Sequence, residues 1–193
     1  MDLKLSTPPA QAEQVHGGKI VKAVGAQRAA GADGIFTFDT TPLLIRSADC
    51  APVFVFDFAG SGFLCALHCG RVSIVKKIIS KSLNKILAKN KINPKTLKVF
   101  IGPHIRRVNY PIGKPAQRQV TRAGFSAQLA LCGRKKCFDL TSAIISELEK
   151  IAVSADNIFD CGINTYIDKR FYSLRRFKGK LPGVFATVAF KNG

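Results

Sequence analysis

The alternation of apolar and polar positions predicts three consecutive β-strands in the first third of the chain. Residues 42–48 (PLLIRSA), 51–58 (APVFVFDF) and 62–68 (GFLCALH) are apolar and partly alternating. A Gly-Ser-Gly turn separates the last two of these segments, as expected for strands that follow each other directly. The pattern therefore places an acid, several thiols and a histidine at the ends of neighbouring strands.

The third of these strands ends at a histidine. Successive side chains of a strand point to opposite faces of the sheet, so His68 should share a face with Leu64 and Ala66. Cys65 and Cys69 should point to the other face. This alternation argues against Cys69 as a partner of His68 in a common site.

The hydrophobic period changes from two to about 3.6 residues after this strand. Residues 72–90 predict one amphipathic helix with most of its lysines outside the apolar stripe. The stripe consists of Val72, Val75, Ile79, Leu83 and Ile86. The Asn93-Pro94 pair ends the segment, because a residue before proline is disfavoured in helical geometry.

The second half of the chain predicts further strands and one more clear helix. Residues 97–105 and 183–190 read as strands, and residues 139–153 read as a helix that Asp139 caps. Residues 106–125 are polar, rich in arginine and interrupted by glycine and proline, which indicates a long loop with a short helix. Strands therefore lie at both ends of the chain, with helices between them.

This order of elements favours the α+β class over a doubly wound sheet, because no regular βαβ rhythm is present. We expect mixed or antiparallel sheets in a sandwich-like core flanked by helices. At 193 residues and without a linker, the chain is expected to form one domain over residues 1–193.

The charge of the chain is strongly unbalanced. Thirty Lys and Arg residues against twelve Asp and Glu residues give a formal net charge of +18. Between Phe58 and Phe138 there are seventeen Lys and Arg residues and no acid. Such a segment attracts anions, although a solvated, lysine-rich surface with no specific partner is the preferred interpretation. Aromatic interleaving and known recognition motifs are absent, so nucleic acid is expected to bind only through non-specific charge.

The cysteines and the apolar segments indicate a cytoplasmic setting. The first ten residues lack the apolar run of a signal peptide, and no apolar segment reaches the length of a membrane span. We therefore expect that the six cysteines are reduced thiols. We also expect that the protein has no membrane partner. Cys132 and Cys137 flank a Gly-Arg-Lys-Lys turn, and a free pair of thiols is the preferred interpretation there.

The residues with candidate chemistry are three histidines and one Asp-Cys pair. His16 precedes a Gly-Gly turn, His68 ends a strand, and Cys50 follows an acid at another strand junction. Imidazole and thiolate are ligands for zinc, and copper accepts the same set. The same residues also suit a nucleophile with its base, or polar groups within a core. His104, beside a Gly-Pro turn, is expected to be structural.

A series of short motifs, in a fixed order along nearly the whole chain, resembles the laccase-domain family. This family is also described as multicopper polyphenol oxidase-like proteins and as purine nucleoside phosphorylases. The motifs are QVHG (14–17), ADG (32–34), SADCAPV (47–53), ALHCG (66–70), IGPHI (101–105) and FYSLRR (171–176).

The resemblance implies a ligand set and an activity. The family's zinc ligands correspond to His16, Cys50 and His68, which are then also the catalytic residues. The implied fold is α+β with a sandwich-like arrangement of sheets. The implied reaction is phosphorolysis of adenosine, inosine or 5′-methylthioadenosine, with adenosine deamination as a related activity. Purine nucleosides and phosphate are thus the expected partners, and zinc the expected cofactor, with copper as the other candidate.

Phosphorolysis needs a phosphate held beside the sugar, and guanidinium groups bind phosphate through two parallel hydrogen bonds. We expect this role for Arg175 and Arg176, with Tyr172 as a neighbouring hydrogen-bonding or stacking group. Arg71 is a further candidate, because it lies one position from the arginine in the family's HAGWRG motif. That motif has lost its tryptophan here, since residues 68–73 read HCGRVS. The family's usual N-terminal stretch is also expected to be shorter in this chain.

Other functions remain open at this point. A cysteine hydrolase would use Cys50 as nucleophile and His68 as base. A catalytically impaired homologue would bind anionic partners through the acid-free segment. Copper-dependent phenol oxidation is disfavoured, because one cysteine and two histidines provide too few ligands for a multicopper cluster.

Overall fold

Two β-sheets and a layer of helices make up the fold in a computed structural model that describes residues 5, 7–57, 60–180 and 182–191. The strands are β1 (Ala10–Ala12), β2 (Ile20–Lys22), β3 (Arg28–Ala29), β4 (Gly34–Thr37), β5 (Leu43–Ser47), β6 (Ala51–Asp57), β7 (Leu64–Cys69), β8 (Leu97–Ile101), β9 (Leu129–Cys132), β10 (Lys135–Phe138), β11 (Ile158–Asp160) and β12 (Phe185–Ala189). The α-helices are α1 (Arg71–Val75), α2 (Asn84–Lys89), α3 (Lys114–Arg122) and α4 (Leu140–Glu149). A π-helix (Ile78–Leu83) and short 3₁₀ turns complete the described elements.

The larger sheet has six strands in the order β11-β8-β6-β7-β4-β2. Its four inner strands pair antiparallel, whereas the edge strands β11 and β2 pair parallel with their neighbours. The register of β6 with β7 places Pro52 opposite His68 and Ala51 opposite Cys69. Cys50, which directly precedes β6, therefore arrives at the same end of the sheet as His68.

The smaller sheet has four strands in the order β12-β5-β1-β3. β5 pairs antiparallel with the late strand β12 and parallel with β1, which in turn pairs parallel with β3. The sheet thus joins the beginning of the described chain to its end. A third, two-stranded sheet is the β9–β10 hairpin.

Two apolar cores lie on opposite faces of the larger sheet. Leu64 and Ala66 of β7 face the smaller sheet and pack in a core that includes Ile45. Cys65 and Leu67 face the helices, in a core that extends to residues of the π-helix and α4. His68 follows the parity of Ala66, as the alternation predicts. The mixed sheets stacked as a sandwich and flanked by helices confirm the predicted α+β class.

The helix predicted over residues 72–90 is interrupted, and this part of the prediction is wrong. α1 ends at Val75, Lys77 adopts a left-handed conformation (φ 62°), and the chain continues as the π-helix and α2. Ile79 and Leu83 of the apolar stripe are buried, and Val75 and Ile86 pack partly buried against the same core, which is why the period alone does not reveal the break. The break turns the ammonium of Lys76 toward the backbone oxygen of His16 (3.1 Å). None of the helices in the described residues is long and apolar enough to cross a bilayer.

A buried carboxylate ties α4 to this broken helix. Glu147 accepts hydrogen bonds from Lys77 (3.1 Å), Lys150 (2.9 Å) and the Ser80 hydroxyl. Burial acts to raise the pKa of Glu147, but these hydrogen bonds outweigh it and lower the pKa below its ordinary value. The Lys77 ammonium also lies 3.8 Å from the centre of the Phe125 ring.

The remaining predicted elements are present with shorter bounds. β5, β6, β7, β8 and β12 occupy the predicted strand segments, although Phe58 lies outside the described residues. The predicted loop 106–125 contains α3. Asp139 caps α4 by accepting a hydrogen bond from the backbone NH of Ser142 (3.0 Å), which confirms its predicted role. A single domain over the whole chain stays a prediction.

Candidate metal centre

Three side chains from distant parts of the chain meet at one end of the sandwich. His16, Cys50 and His68 each offer one ligand atom, and these atoms lie within 4.8 Å of one another. Cys50 Sγ is 3.8 Å from His16 Nε2, and the two imidazole rings have their centres 4.9 Å apart. His68 is buried, Cys50 is half-buried and His16 is exposed, so one side of the group is open to solvent.

The separation of two of the ligand atoms, Cys50 Sγ and His16 Nε2, fits a zinc ion. With Zn–N distances of about 2.0–2.1 Å and a Zn–S distance of about 2.3 Å, tetrahedral geometry separates nitrogen and sulfur by about 3.6 Å. The observed 3.8 Å between Cys50 Sγ and His16 Nε2 is close to this value. Three protein ligands leave a fourth position open. Within the described residues, this is the one group of three or more His, Cys, Asp or Glu side chains arranged to hold a metal.

Gly70 leaves the space that the Cys50 thiol occupies. A Cβ atom at this position would lie 2.7 Å from Cys50 Sγ and 3.4 Å from the His16 ring. Any larger residue would therefore push the sulfur out of the group. The glycine in the ALHCG motif is explained by this close approach rather than by backbone conformation.

Asp33 holds two of the three ligands in position. Its carboxylate lies 2.9 Å from His68 Nδ1 and accepts hydrogen bonds from the backbone NH groups of Val15, His16 and Gly17. Because an ionised carboxylate only accepts, the Nδ1 atom of His68 carries the proton and Nε2 faces the group. Burial acts to raise the pKa of Asp33, but the bond to His68 and the backbone NH groups outweigh it and lower the pKa. A carboxylate behind a ligating histidine is the usual outer-shell partner in zinc sites.

The loop that carries His16 is strained and held at several points. Gln14 (φ 68°) and His16 (φ 55°) are both left-handed, which is uncommon for residues other than glycine. The side-chain amide of Gln14 exchanges two hydrogen bonds with the backbone of Arg46 (2.6 and 2.9 Å). Ser82 of the π-helix donates to the backbone oxygen of Gly18 (2.5 Å), next to the Lys76 contact.

The adjacent Asp49 and Cys50 have separate tasks. Asp49 (φ 98°) accepts hydrogen bonds from the Thr165 hydroxyl and from the backbone NH of Arg175, both at 2.8 Å. Its carboxylate thus binds the late loop to the strand end, while Cys50 faces the metal group.

The thiol and the imidazole at the centre stabilise each other's charged forms. Burial acts to raise the pKa of Cys50, but the charge of His68 and hydrogen bonds from both imidazoles lower it to about 6. Burial acts to lower the pKa of His68, but the Cys50 thiolate and Asp33 raise it to about 9. Cys50 is therefore a thiolate near neutral pH, which is the form that binds metals and also the form that attacks electrophiles.

Two clefts meet at His16 and Cys50. The first, called the Arg46 cleft, has a volume of about 320 Å³. Its further lining includes Glu13, Arg46, Ser47, His68 and Val184. Within the described residues, the buried Nε atom of Arg46 and the Oγ atom of Ser47 have no hydrogen-bond partner. A buried polar atom without a partner costs stability, and both of these atoms are shielded from solvent.

The second, called the Arg71 cleft, has a volume of about 210 Å³ and is lined by more basic than acidic residues. Besides His16 and Cys50, its lining includes Arg71, Tyr110, Arg175 and the acidic Asp49. The Arg175 guanidinium lies 5.0 Å from the centre of the Tyr110 ring and donates to the backbone oxygen of Pro111 (2.9 Å). Arg71 donates to the side chain of Gln119 (2.6 Å).

The structure places the two other predicted anion-site residues elsewhere. The guanidinium of Arg176 donates to the backbone oxygens of Thr165, Tyr166, Asp168 and Phe171. Tyr172 is not in the lining of either cleft, and a Cβ on Gly183 would lie 2.9 Å from its ring. Of the four predicted residues, Arg71 and Arg175 thus reach the clefts and Arg176 and Tyr172 do not.

His104 lies outside the metal group. It is fully buried, with Nδ1 2.8 Å from the backbone oxygen of Gly102 and Nε2 2.7 Å from the Thr141 hydroxyl. Burial lowers its pKa to about 4, so the ring is neutral at ordinary pH. The expected structural role of His104 is confirmed.

Sequence reasoning did not find the Arg46 cleft or the part played by Tyr110. Arg46 and Ser47 end a strand that reads as ordinary apolar sequence, and their open hydrogen-bonding atoms are visible only in three dimensions. Tyr110 follows the IGPHI motif, but its contact with Arg175 joins residues 65 positions apart. Asp33 was recognisable through the ADG motif, although the sequence does not show what it binds.

Comparison with known proteins agrees with this geometry. The chain is 26% identical over 168 residues to a Campylobacter jejuni protein named purine nucleoside phosphorylase, covering 86% of this chain and 70% of the relative. The fold is similar to crystal structures of YlmD from Geobacillus stearothermophilus (TM-score 0.84, 20% identity, 95% of this chain and 73% of that one) and of YfiH, a hypothetical protein from Bacillus licheniformis (0.83, 19%, 94% and 74%).

A third similar structure is a Neisseria meningitidis protein (TM-score 0.80, 22% identity, 97% of this chain and 76% of that one). At these identities the three structures support the fold alone. The family match is broader, since the family described as multi-copper polyphenol oxidoreductase laccase matches residues 2–191. On that match, which includes all three candidate ligands, the chain belongs to the multi-copper polyphenol oxidoreductase laccase family.

Proposed function

We propose that the protein is a zinc-dependent purine nucleoside phosphorylase that acts on adenosine, inosine or 5′-methylthioadenosine. The observation that carries the proposal is the meeting of His16, Cys50 and His68 at the junction of two clefts with different lining. The Campylobacter jejuni relative, named a purine nucleoside phosphorylase, supports the reaction class. A site for two substrates on either side of one metal is what a transfer between them requires.

The Arg71 cleft is the proposed phosphate site. Arg71 and Arg175 bring two guanidinium groups to a small cleft that borders the metal ligands. Guanidinium groups bind phosphate oxygens through paired hydrogen bonds and stay charged at all relevant pH values. Tyr110, under the Arg175 guanidinium, fixes its orientation.

The Arg46 cleft is the proposed nucleoside site. Its volume of about 320 Å³ lies in the range of small-ligand pockets. Arg46 and Ser47 contribute polar residues to its lining, and Glu13 adds an acceptor at the rim. A nucleoside there has its sugar beside His16 and Cys50, between the base and the phosphate.

The reaction then follows from this placement. A phosphate oxygen attacks C1′ of the ribose while the bond from C1′ to the base nitrogen breaks, and the proton of the hydrogen phosphate passes to that nitrogen, which yields the sugar 1-phosphate and the free purine. A zinc ion held by His16, Cys50 and His68 would supply positive charge that stabilises the negative charge developing on the departing purine. Asp33 keeps the Nε2 atom of His68 directed at the metal, and the Arg71 cleft orients the phosphate. Adenosine deamination at the same centre is the related activity that we include in the proposal.

Zinc is preferred over copper for a physical reason. Three ligands with an open position are typical of catalytic zinc, whereas a multicopper cluster needs more histidines than this group contains. We further propose that the enzyme works in the cytoplasm, where a thiolate such as Cys50 remains reduced.

The test is metal content together with phosphate-dependent release of base. We expect the purified protein to contain about one equivalent of zinc and to release adenine or hypoxanthine only when phosphate is present. His68→Ala should abolish both properties, because it removes one of the three ligands. Release of base without phosphate, or turnover in a protein freed of metal, would contradict the proposal.

Replacing Arg175 with alanine should raise the KM for phosphate about 10-fold, with a smaller effect on the KM for nucleoside. The guanidinium lines the Arg71 cleft, so its loss weakens the anion site without touching a metal ligand. The measurement is initial-rate kinetics at varied phosphate. Arg28→Ala, at an exposed position of β3, is the matched control and should leave both constants unchanged. An unaltered KM for phosphate in Arg175→Ala would remove Arg175 from the anion site.

A second candidate is a cysteine hydrolase, favoured by the thiolate–imidazolium pair of Cys50 and His68. In this case Cys50 attacks the substrate and His68 transfers protons. His16 separates the two functions, because it is a metal ligand in the first, whereas in the second it only helps His68 to stabilise the Cys50 thiolate. A metal-free His16→Ala protein that keeps part of its activity, and loses it on alkylation of Cys50, would establish the hydrolase.

A further inference from the structure

A basic groove lies between α3 and the β9–β10 hairpin, outside the lining of either cleft at the metal group. Its basic side chains are Lys114, Arg118 and Arg122 of α3 and Lys136 of β10. Gln117 and Thr121 add polar groups along the helix side. The volume of this groove, called the α3 groove, is about 470 Å³.

The positive charge of the α3 groove is not neutralised by the protein. All four basic residues are exposed, and none forms an ion pair with an acidic side chain among the described residues. The groove is built from the segment between Phe58 and Phe138, which contains no acid. Its field therefore favours anions, and the open charges are available for an anionic partner.

The cations of α3 are spaced regularly. Lys114, Arg118 and Arg122 follow each other at four-residue intervals and line the same side of the helix. With a rise of 1.5 Å per residue, successive cations are about 6 Å apart along the axis. This distance is close to the separation of successive phosphates along one nucleic-acid strand. Lys136 faces the row from the opposite wall.

The spacing of the cations and the lining of the groove indicate the form of the ligand. A single row of cations about 6 Å apart matches one strand, whose successive phosphates can contact the row in turn. The lining contains Leu129 but no aromatic residue, so bases have no ring on which to stack. Contacts are thus confined to the phosphate backbone, and no preference for sequence is expected.

From these observations we propose that the α3 groove binds single-stranded nucleic acid through its phosphate backbone. The proposal is independent of the reaction at the metal centre. Binding is weak and depends strongly on salt, because it arises from the release of counterions. The proposal assigns a ligand to the part of the acid-free segment that lines the α3 groove.

The test is fluorescence anisotropy with a labelled single-stranded oligothymidylate at several salt concentrations. Arg118→Gln/Arg122→Gln should weaken binding about 10-fold at low salt and reduce the magnitude of the slope of log K against log salt by about 1.4, at about 0.7 per phosphate contact. Lys85→Gln/Lys89→Gln is the control, since it removes two exposed charges at the same spacing from α2 in the same acid-free segment. The control should retain nearly all of the wild-type affinity and slope.

Thermal unfolding of each variant checks that the fold is intact, which is expected because all four replaced residues are exposed. Equal losses in the two double variants would show that the charge acts diffusely and would overturn the proposal. A duplex that binds as tightly as the single strand would overturn it as well. So would binding to anionic lipid vesicles that depends on Arg118 and Arg122 while oligonucleotide binding does not.

Discussion

A Cys50→Ala protein should be isolated without zinc and should lose more than about 100-fold in kcat/KM for phosphorolysis, beyond the range typical of losing an outer-shell partner. The thiolate is one of three ligands, and its sulfur is 3.8 Å from His16 Nε2. Two imidazoles alone hold zinc too weakly to keep it through purification. The measurements are metal content by mass spectrometry and base release at saturating phosphate.

Cys161→Ala is the matched control for this substitution, because Cys161 is also a half-buried free thiol but lies outside the metal group. It should keep one equivalent of zinc and full activity. A Cys50→Ala protein with bound metal and normal turnover would show that the thiol is not a ligand. Loss of activity with retained zinc would instead favour the cysteine hydrolase.

Replacing Asp33 with asparagine should lower the affinity for zinc about 10- to 100-fold while leaving every ligand in place. The carboxylate accepts hydrogen bonds from His68 and from three backbone NH groups of the His16 loop. An amide has one oxygen instead of two, so its NH₂ group must face at least one of these donors. The measurement is competition between the protein and a chelating zinc indicator, which does not depend on activity.

Asp39→Asn provides the comparison for Asp33→Asn. Asp39 is an exposed carboxylate that accepts hydrogen bonds from Thr37 and Thr41, away from the metal group. Its replacement should not alter zinc affinity. If Asp33→Asn binds zinc as tightly as the wild type, the carboxylate does not position the ligands, and the strained His16 loop must be held by its other contacts.

The candidate ligand group could be predicted from the sequence because each of its residues lies in a short, specific motif. His16, Cys50 and His68 are separated by up to 52 positions, and spacing alone does not bring them together. The strand pattern adds physical support, since it places Cys50 and His68 at the junctions of strands that prove to be neighbours. It also gives the face on which His68 lies.

The residues of the proposed anion site could be predicted from the sequence only in part. Arg175 and Arg176 are adjacent and chemically identical, but Arg175 lines a cleft and Arg176 binds four backbone oxygens. The difference is set by the path of the backbone after Thr165, which depends on Asp49, more than a hundred residues earlier. No local pattern carries that information.

The interrupted helix has a consequence for the metal centre. Lys76 and Ser82 hold the backbone at His16 and Gly18, whereas the other two ligands come from β7 and the start of β6. The His16 loop is thus held by the helical layer as well as by Asp33 and Arg46, whereas Cys50 and His68 lie at the strand ends of the β-layer. A bound ion would therefore connect the two layers. Mutations that weaken the packing of the helices against the sheet would then weaken retention of the ion without altering any coordinating atom.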